Sequence, residues 1–129
     1  KHVNHNTLTV QILIGLFVCH FLADFTHLST KWMLDGKRFG KPLLPILFHA
    51  WIHAVLMAVF LKLYGIDWKT VAICYTIQKG THFIIDVWKG KMNVWFPSLQ
   101  SPDNKLHWVV FGFDQLLHSV VIIWMAAII

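Results

Sequence analysis

Thr81-His82-Phe83-Ile84-Ile85-Asp86, near the end of an apolar run, is the stretch on which the reading of this chain turns. A histidine and a carboxylate four residues apart share one helix face. In so apolar a segment the pair needs a reason. The same pattern stands sixty-two residues earlier, as Cys19-His20-Phe21-Leu22-Ala23-Asp24, and two more pairs at this spacing, His49/His53 and Asp114/His118, lie in the other two apolar runs.

The composition says what kind of chain carries them. Of 129 residues, 57% are hydrophobic and only 13% charged, which suits a small polytopic membrane protein rather than a water-soluble domain. All six acidic residues are aspartates, and three of them fall inside apolar runs. The net charge of +5 comes from basic residues beside those runs, as in topology determinants, so no nucleic-acid partner is expected. Cys19 and Cys74 are single cysteines in apolar surroundings, which argues against a disulfide framework or thiolate site.

The expected fold class is all-α, one domain over residues 1–129 with four transmembrane helices at about 8–27, 42–64, 68–88 and 107–129. Each is long enough for a hydrocarbon core of about 30 Å. Residues 26–41 and 89–105 read as polar loops. These loops hold Lys31, Lys37, Arg38, Lys41, Lys89, Lys91 and Lys105, against Lys1, Lys62 and Lys69 on the opposite side, so the positive-inside rule places both in the cytoplasm. His20–Asp24 aligns with His82–Asp86, and Phe48–Val55 with Phe113–Val120, in the same order. The chain is therefore expected to be two helical hairpins related as parallel repeats.

In that arrangement all four pairs fall at one depth, toward the cytoplasmic side. A charged side chain at the centre of a span costs about 2.5–3.5 kcal/mol. Within the spans only Lys79 is available to offset three aspartates. Divalent metal is the natural remaining counter-charge. The candidate ligands are His20, Asp24, His49, His53, His82, Asp86, Asp114 and His118, enough for two ions. Zinc is the first choice of metal, with iron or manganese as alternatives. Asp24 and Asp114 are the candidate catalytic bases. Other readings of the same residues are a purely structural polar network, a bis-histidine haem, and a proton or ion relay. His2 and His5 read as solvated terminus.

His20-Phe21-Leu22-Ala23-Asp24-Phe25 with Trp32 following, His49 to His53, His82 to Asp86, and Asp114-Gln115-Leu116-Leu117-His118 together resemble domain-of-unknown-function family 3307, small membrane proteins of bacteria and phages. The resemblance covers nearly the whole chain and implies a multi-pass protein of the bacterial inner membrane, without an established activity. The chain departs from the family pattern at Thr26-His27-Leu28, where a more apolar stretch ending in glutamine is expected. His20/Asp24 and His82/Asp86 also bear a fainter similarity to membrane-bound metal-dependent hydrolases. The combined expectation is a metal-dependent hydrolase of a lipid or amphiphilic ester or phosphoester. Its partners are membrane lipid, an amphiphilic substrate and a second copy of the chain. The alternatives are a divalent-ion or proton transporter, a di-iron oxidase of lipid chains, and a structural membrane subunit.

Overall fold

The computed structural model describes residues 5–129, and all regular structure among them is helical. Lys1 and His2, and the side chain of His5, lie outside that description, and with them the expected solvated terminus. The helices are α1 (His5–Phe25), α2 (Lys31–Phe39), α3 (Leu43–Leu63), α4 (Trp68–Trp95) and α5 (Lys105–Ile128), with a 3-10 turn at Pro97–Gln100. Three of them, α1, α3 and α5, are long and apolar enough to cross a membrane. The fourth long helix, α4, is 28 residues but carries Lys69, Lys79, Asp86, Lys89 and Lys91.

The four long helices form a ring in which α1 and α4 each pack against α3 and α5, while α2 lies across α3 and α4. At one end the interior is apolar, built from Ile12, Leu16, Met57, Leu61, Ile122 and Met125. There the Tyr64 hydroxyl, just past α3, donates to Gln11 Oε1 on α1. At the other end buried polar side chains gather among Ala23, Ile46, Ala50 and Ala54. The outer surface is the reverse of a water-soluble protein: Ile14, Phe21, Leu44, Trp51, Ile84 and Ile123 are all exposed. Such a face suits hydrocarbon.

Residues 26–41 are not the simple polar loop that their charge suggests. They contain α2, whose first turn is capped by Thr30 Oγ1 accepting from the Met33 amide. The helix ends on Gly40 at φ 68°, the left-handed conformation glycine adopts without penalty. Likewise α4 runs on to Trp95, past the expected end of the third span at residue 88. Lys89, Gly90 and Lys91 mark a change of polarity, not the end of helical hydrogen bonding.

The extra turns of α4 give α2 its seat. The Asn93 side-chain amide donates to the Arg38 carbonyl at 2.7 Å. Gly90 meets Gly40 backbone to backbone, and a Cβ on Gly90 would lie 2.6 Å from the Lys37 carbonyl oxygen and closer still to the Gly40 amide nitrogen. Neither backbone can yield without moving α2. Gly90→Ala is therefore expected to lower stability by about 1–3 kcal/mol and to shift Lys37, although alanine is the better helix former. Thermal unfolding in detergent checks this, with Gly80→Ala as control because nothing lies within 4 Å of a Cβ there.

Candidate functional site

The polar end of the bundle gathers all eight residues singled out by their four-residue spacing. His20, His49, His53, His82, Asp86, Asp114 and His118 are buried, and the Asp24 side chain is 7% exposed. The four long helices supply two each: His20 and Asp24 from α1, His49 and His53 from α3, His82 and Asp86 from α4, and Asp114 and His118 from α5. The rings of His53 and His82 stack at 3.7 Å between centroids, and those of His82 and His118 at 4.2 Å.

Distances divide the cluster. Asp24 Oδ1 lies 2.8 Å from His49 Nε2 and 2.9 Å from His53 Nε2, and these two nitrogens are 3.2 Å apart. On the other side, Asp86 Oδ2 is 3.1 Å from His82 Nε2, and Asp86 Oδ1 is 3.4 Å from His118 Nε2. His49 Nε2 to Asp86 Oδ2, at 3.9 Å, links the two halves. Among the described residues two groups have donor atoms close enough together to share an ion: Asp24, His49, His53 and His82, and then His82, Asp86 and His118. His20 and Asp114 belong to neither. His20 Nε2 faces Asp24 Oδ2 at 3.2 Å and Gln115 Oε1 at 3.4 Å, the position of a donor that orients Asp24.

Hydrogen bonding accounts poorly for this convergence. In its ring plane an imidazole Nε2 offers one hydrogen or one lone pair. His49 Nε2 nevertheless has Asp24 Oδ1, His53 Nε2 and the Lys37 ammonium all within 3.3 Å. Among the described residues, His82 Nε2, Asp86 Oδ2 and Asp114 Oδ1 are buried with no hydrogen bond of acceptable geometry, although His82 Nε2 lies 3.1 Å from Asp86 Oδ2 and His118 Nε2 3.3 Å from Asp114 Oδ1 as ion-pair contacts. Tetrahedral ligands about 2.0–2.1 Å from an ion stand about 3.3–3.4 Å apart, close to the spacings seen here.

Two cations at this end escape a reading of the spans alone. Lys37, from α2, reaches Asp24 Oδ1 at 3.6 Å, and Lys89 reaches Asp114 Oδ2 at 3.9 Å. Burial opposes the charge on Lys37, but the Asp86, Asp24 and Asp114 carboxylates outweigh it and hold its pKa above the usual lysine value. Lys79, expected as the available counter-charge, instead lies over the Tyr75 ring and lines an outer groove between α3 and α4. The carboxylates thus have cationic partners on this chain, and the case for metal rests on the crowded imidazole nitrogens rather than on missing charge.

A family model described as Protein of unknown function (DUF3307) matches residues 12–129. The chain belongs to that family. No curated protein and no solved structure matches it, and nothing found supports the fainter resemblance to membrane-bound hydrolases. The DUF3307 match spans all eight residues of the cluster and the side chains around them.

Two of those surrounding side chains are glutamines. Gln115 faces His20, and Gln78 is buried with its amide 3.0 Å from His82 Nδ1. The signal for Gln78 was present, because Gln78, His82 and Asp86 continue one stripe at four-residue spacing. It is the Gln78 amide nitrogen that faces Nδ1; with the amide flipped, its carbonyl would accept the Nδ1–H and leave the His82 Nε2 lone pair free for an ion. Gln78→Leu is expected to weaken divalent-metal affinity about 10–100-fold, whereas Gln78→Glu retains the acceptor and most of the affinity. Competition with a chromogenic chelator measures both.

Proposed function

We propose that the polar end of this bundle holds two divalent ions, zinc in the first instance, and hydrolyses an ester or phosphoester of a membrane amphiphile. The observation that carries the reading is the approach of imidazole Nε2 atoms and carboxylate oxygens to 2.8–3.4 Å in two adjoining sets. Since one Nε2 serves one ion, His82 is assigned with Asp86 and His118. Asp24, His49 and His53 then form the other set. Each set is two imidazoles and a carboxylate, the donor pattern of catalytic zinc sites that keep a position open.

This division supports the proposed repeat, because each hairpin contributes one set. It also fits four spans, with α4 crossing as the least apolar of them and the clustered basic residues on the cytoplasmic side of a bacterial inner membrane. Divalent ions in such sites lower the pKa of bound water and stabilise developing negative charge on an ester oxygen. The chain's own part is to position and to move protons. His20 orients Asp24 through its 3.2 Å contact. Asp24 Oδ1 is taken up by His49 and His53, so Asp114 is the better general base: it stands outside both donor sets, borders an open cleft, and has His118 Nε2 3.3 Å from its Oδ1.

Asp114→Asn is expected to lower turnover of a phosphoester amphiphile in mixed micelles by about 10²–10⁴-fold while both ions are retained. Unchanged turnover would remove Asp114 from the chemistry. The Lys37–Asp24 contact favours a second reading, an ion or proton relay, since it gives the carboxylates a counter-charge without metal. Proteoliposomes separate the two: flux that depends on Asp24 and Asp86, with no lipid turned over, would establish the relay instead.

A further inference from the structure

A cleft of about 280 Å³ opens at the polar end between α1, α2, α4 and α5. Asp24, Asp86 and Asp114 lie along it, and Lys37, Arg38 and Lys89 reach it from α2 and α4. Its walls include Phe25, Leu34 and Phe111, with the Lys89 ammonium 4.9 Å from the centre of the Phe111 ring. Phe25, at the end of the apolar α1, and Leu34 of α2 are half-exposed, so one side of the cleft is open and apolar. The volume is at the small end for a ligand pocket and suits a headgroup better than a whole lipid.

We propose that this cleft takes the phosphate group of a phosphorylated amphiphile, with Lys37, Arg38 and Lys89 on its anionic oxygens and the tail leaving past Phe25 and Leu34. The inference rests on the reading of the carboxylates as part of a metal centre and adds the ligand class. Formal charge gives the reason. The three carboxylates and three basic side chains of the cleft cancel, so the cleft alone has little net attraction for an anion. Divalent ions among the carboxylates reverse that balance: they add positive charge beside Arg38 and Lys89, and an ion on Asp24 competes with Lys37 for Oδ1 and leaves that ammonium to an incoming anion. Phosphate binding is therefore conditional on metal. An apolar wall beside a cationic rim also favours an ester bearing a tail over free phosphate.

The test uses the full chain in nanodiscs of phosphatidylcholine, with bound zinc determined on the same samples. Inorganic phosphate is titrated by calorimetry. Dioleoyl phosphatidate, incorporated at increasing mole fraction, is followed by its phosphorus NMR shift. Zinc-loaded Asp114→Asn protein, used throughout so that the ester is not turned over, is expected to bind phosphatidate at least ten-fold more tightly than inorganic phosphate. Chelation should abolish both, and Arg38→Gln with Lys89→Gln should weaken phosphatidate binding at least ten-fold without loss of zinc. Zinc retained with no phosphate binding, or with binding unchanged in the double variant, would overturn the phosphate site and leave the metal centre standing. Equal affinity for the two ligands would overturn the amphiphile assignment. Binding that survives chelation would overturn its dependence on metal. Absence of zinc from every sample would remove the metal centre itself, and with it this inference.

Discussion

Lys37→Met, measured after chelation, is expected to cost about 3 kcal/mol of stability, most of it restored by zinc. The Lys37 side chain is 18% exposed and the Asp24 side chain 7%, and Lys37 touches both Asp24 and His49. Methionine keeps much of the length of the stem and its apolar contacts but removes the charge. Removing one partner of a buried pair leaves the other uncompensated, a loss of about 3–5 kcal/mol when burial is complete. Residual solvent access and the 3.6 Å separation place the expected value at the lower end of that range. An ion bound by Asp24 replaces the lost charge, and at about 100 times its dissociation constant it adds about 2.7 kcal/mol to the folded state. Unfolding in denaturing detergent, with and without zinc, gives both quantities. A loss that zinc leaves untouched would mean that Lys37 acts through the packing of α2 rather than through charge on the carboxylates.

Substitution of the imidazoles is expected to take the ions away one half at a time. His53→Ala removes one of three donors in the set made by α1 and α3, and His118→Ala does the same for the set made by α4 and α5. Each variant should retain one ion and lose hydrolysis. His82→Ala should do more: its ring stacks on both His53 and His118, and its Nε2 lies within reach of both sets. Loss of both ions and of all turnover is the expected result for His82→Ala, read by metal content and by hydrolysis of the same phosphoester. Retention of both ions in all three variants would sink this division of the donors.

The sequence carried the helical class and the polar cluster for separate physical reasons. Runs such as Leu43–Leu63 announce a helix suited to hydrocarbon by length and apolarity alone. The cluster was legible because a four-residue spacing places two side chains on one face, and because polar pairs late in the first and third expected spans and early in the second and fourth must meet at one end. The α2 helix was masked by Asp35, Gly36, Lys37 and Arg38, which read as loop chemistry, although Thr30 and Gly40 bracket nine residues as start and stop signals. Losing α2 meant losing Lys37, whose place beside Asp24 depends on the contact of Gly40 with Gly90, fifty residues apart. No local pattern carries that contact. Lys79 illustrates the converse, since sequence proximity to His82 says little about which face of α4 a lysine occupies.

The central claim, that crowded imidazole and carboxylate atoms mark a divalent-metal centre, is tested most directly by the metal content of the full chain purified in mild detergent without added metal. Two zinc, iron or manganese ions per chain is the result this account predicts. A chain that is folded, carries no metal, and takes up none when dialysed against zinc would contradict it.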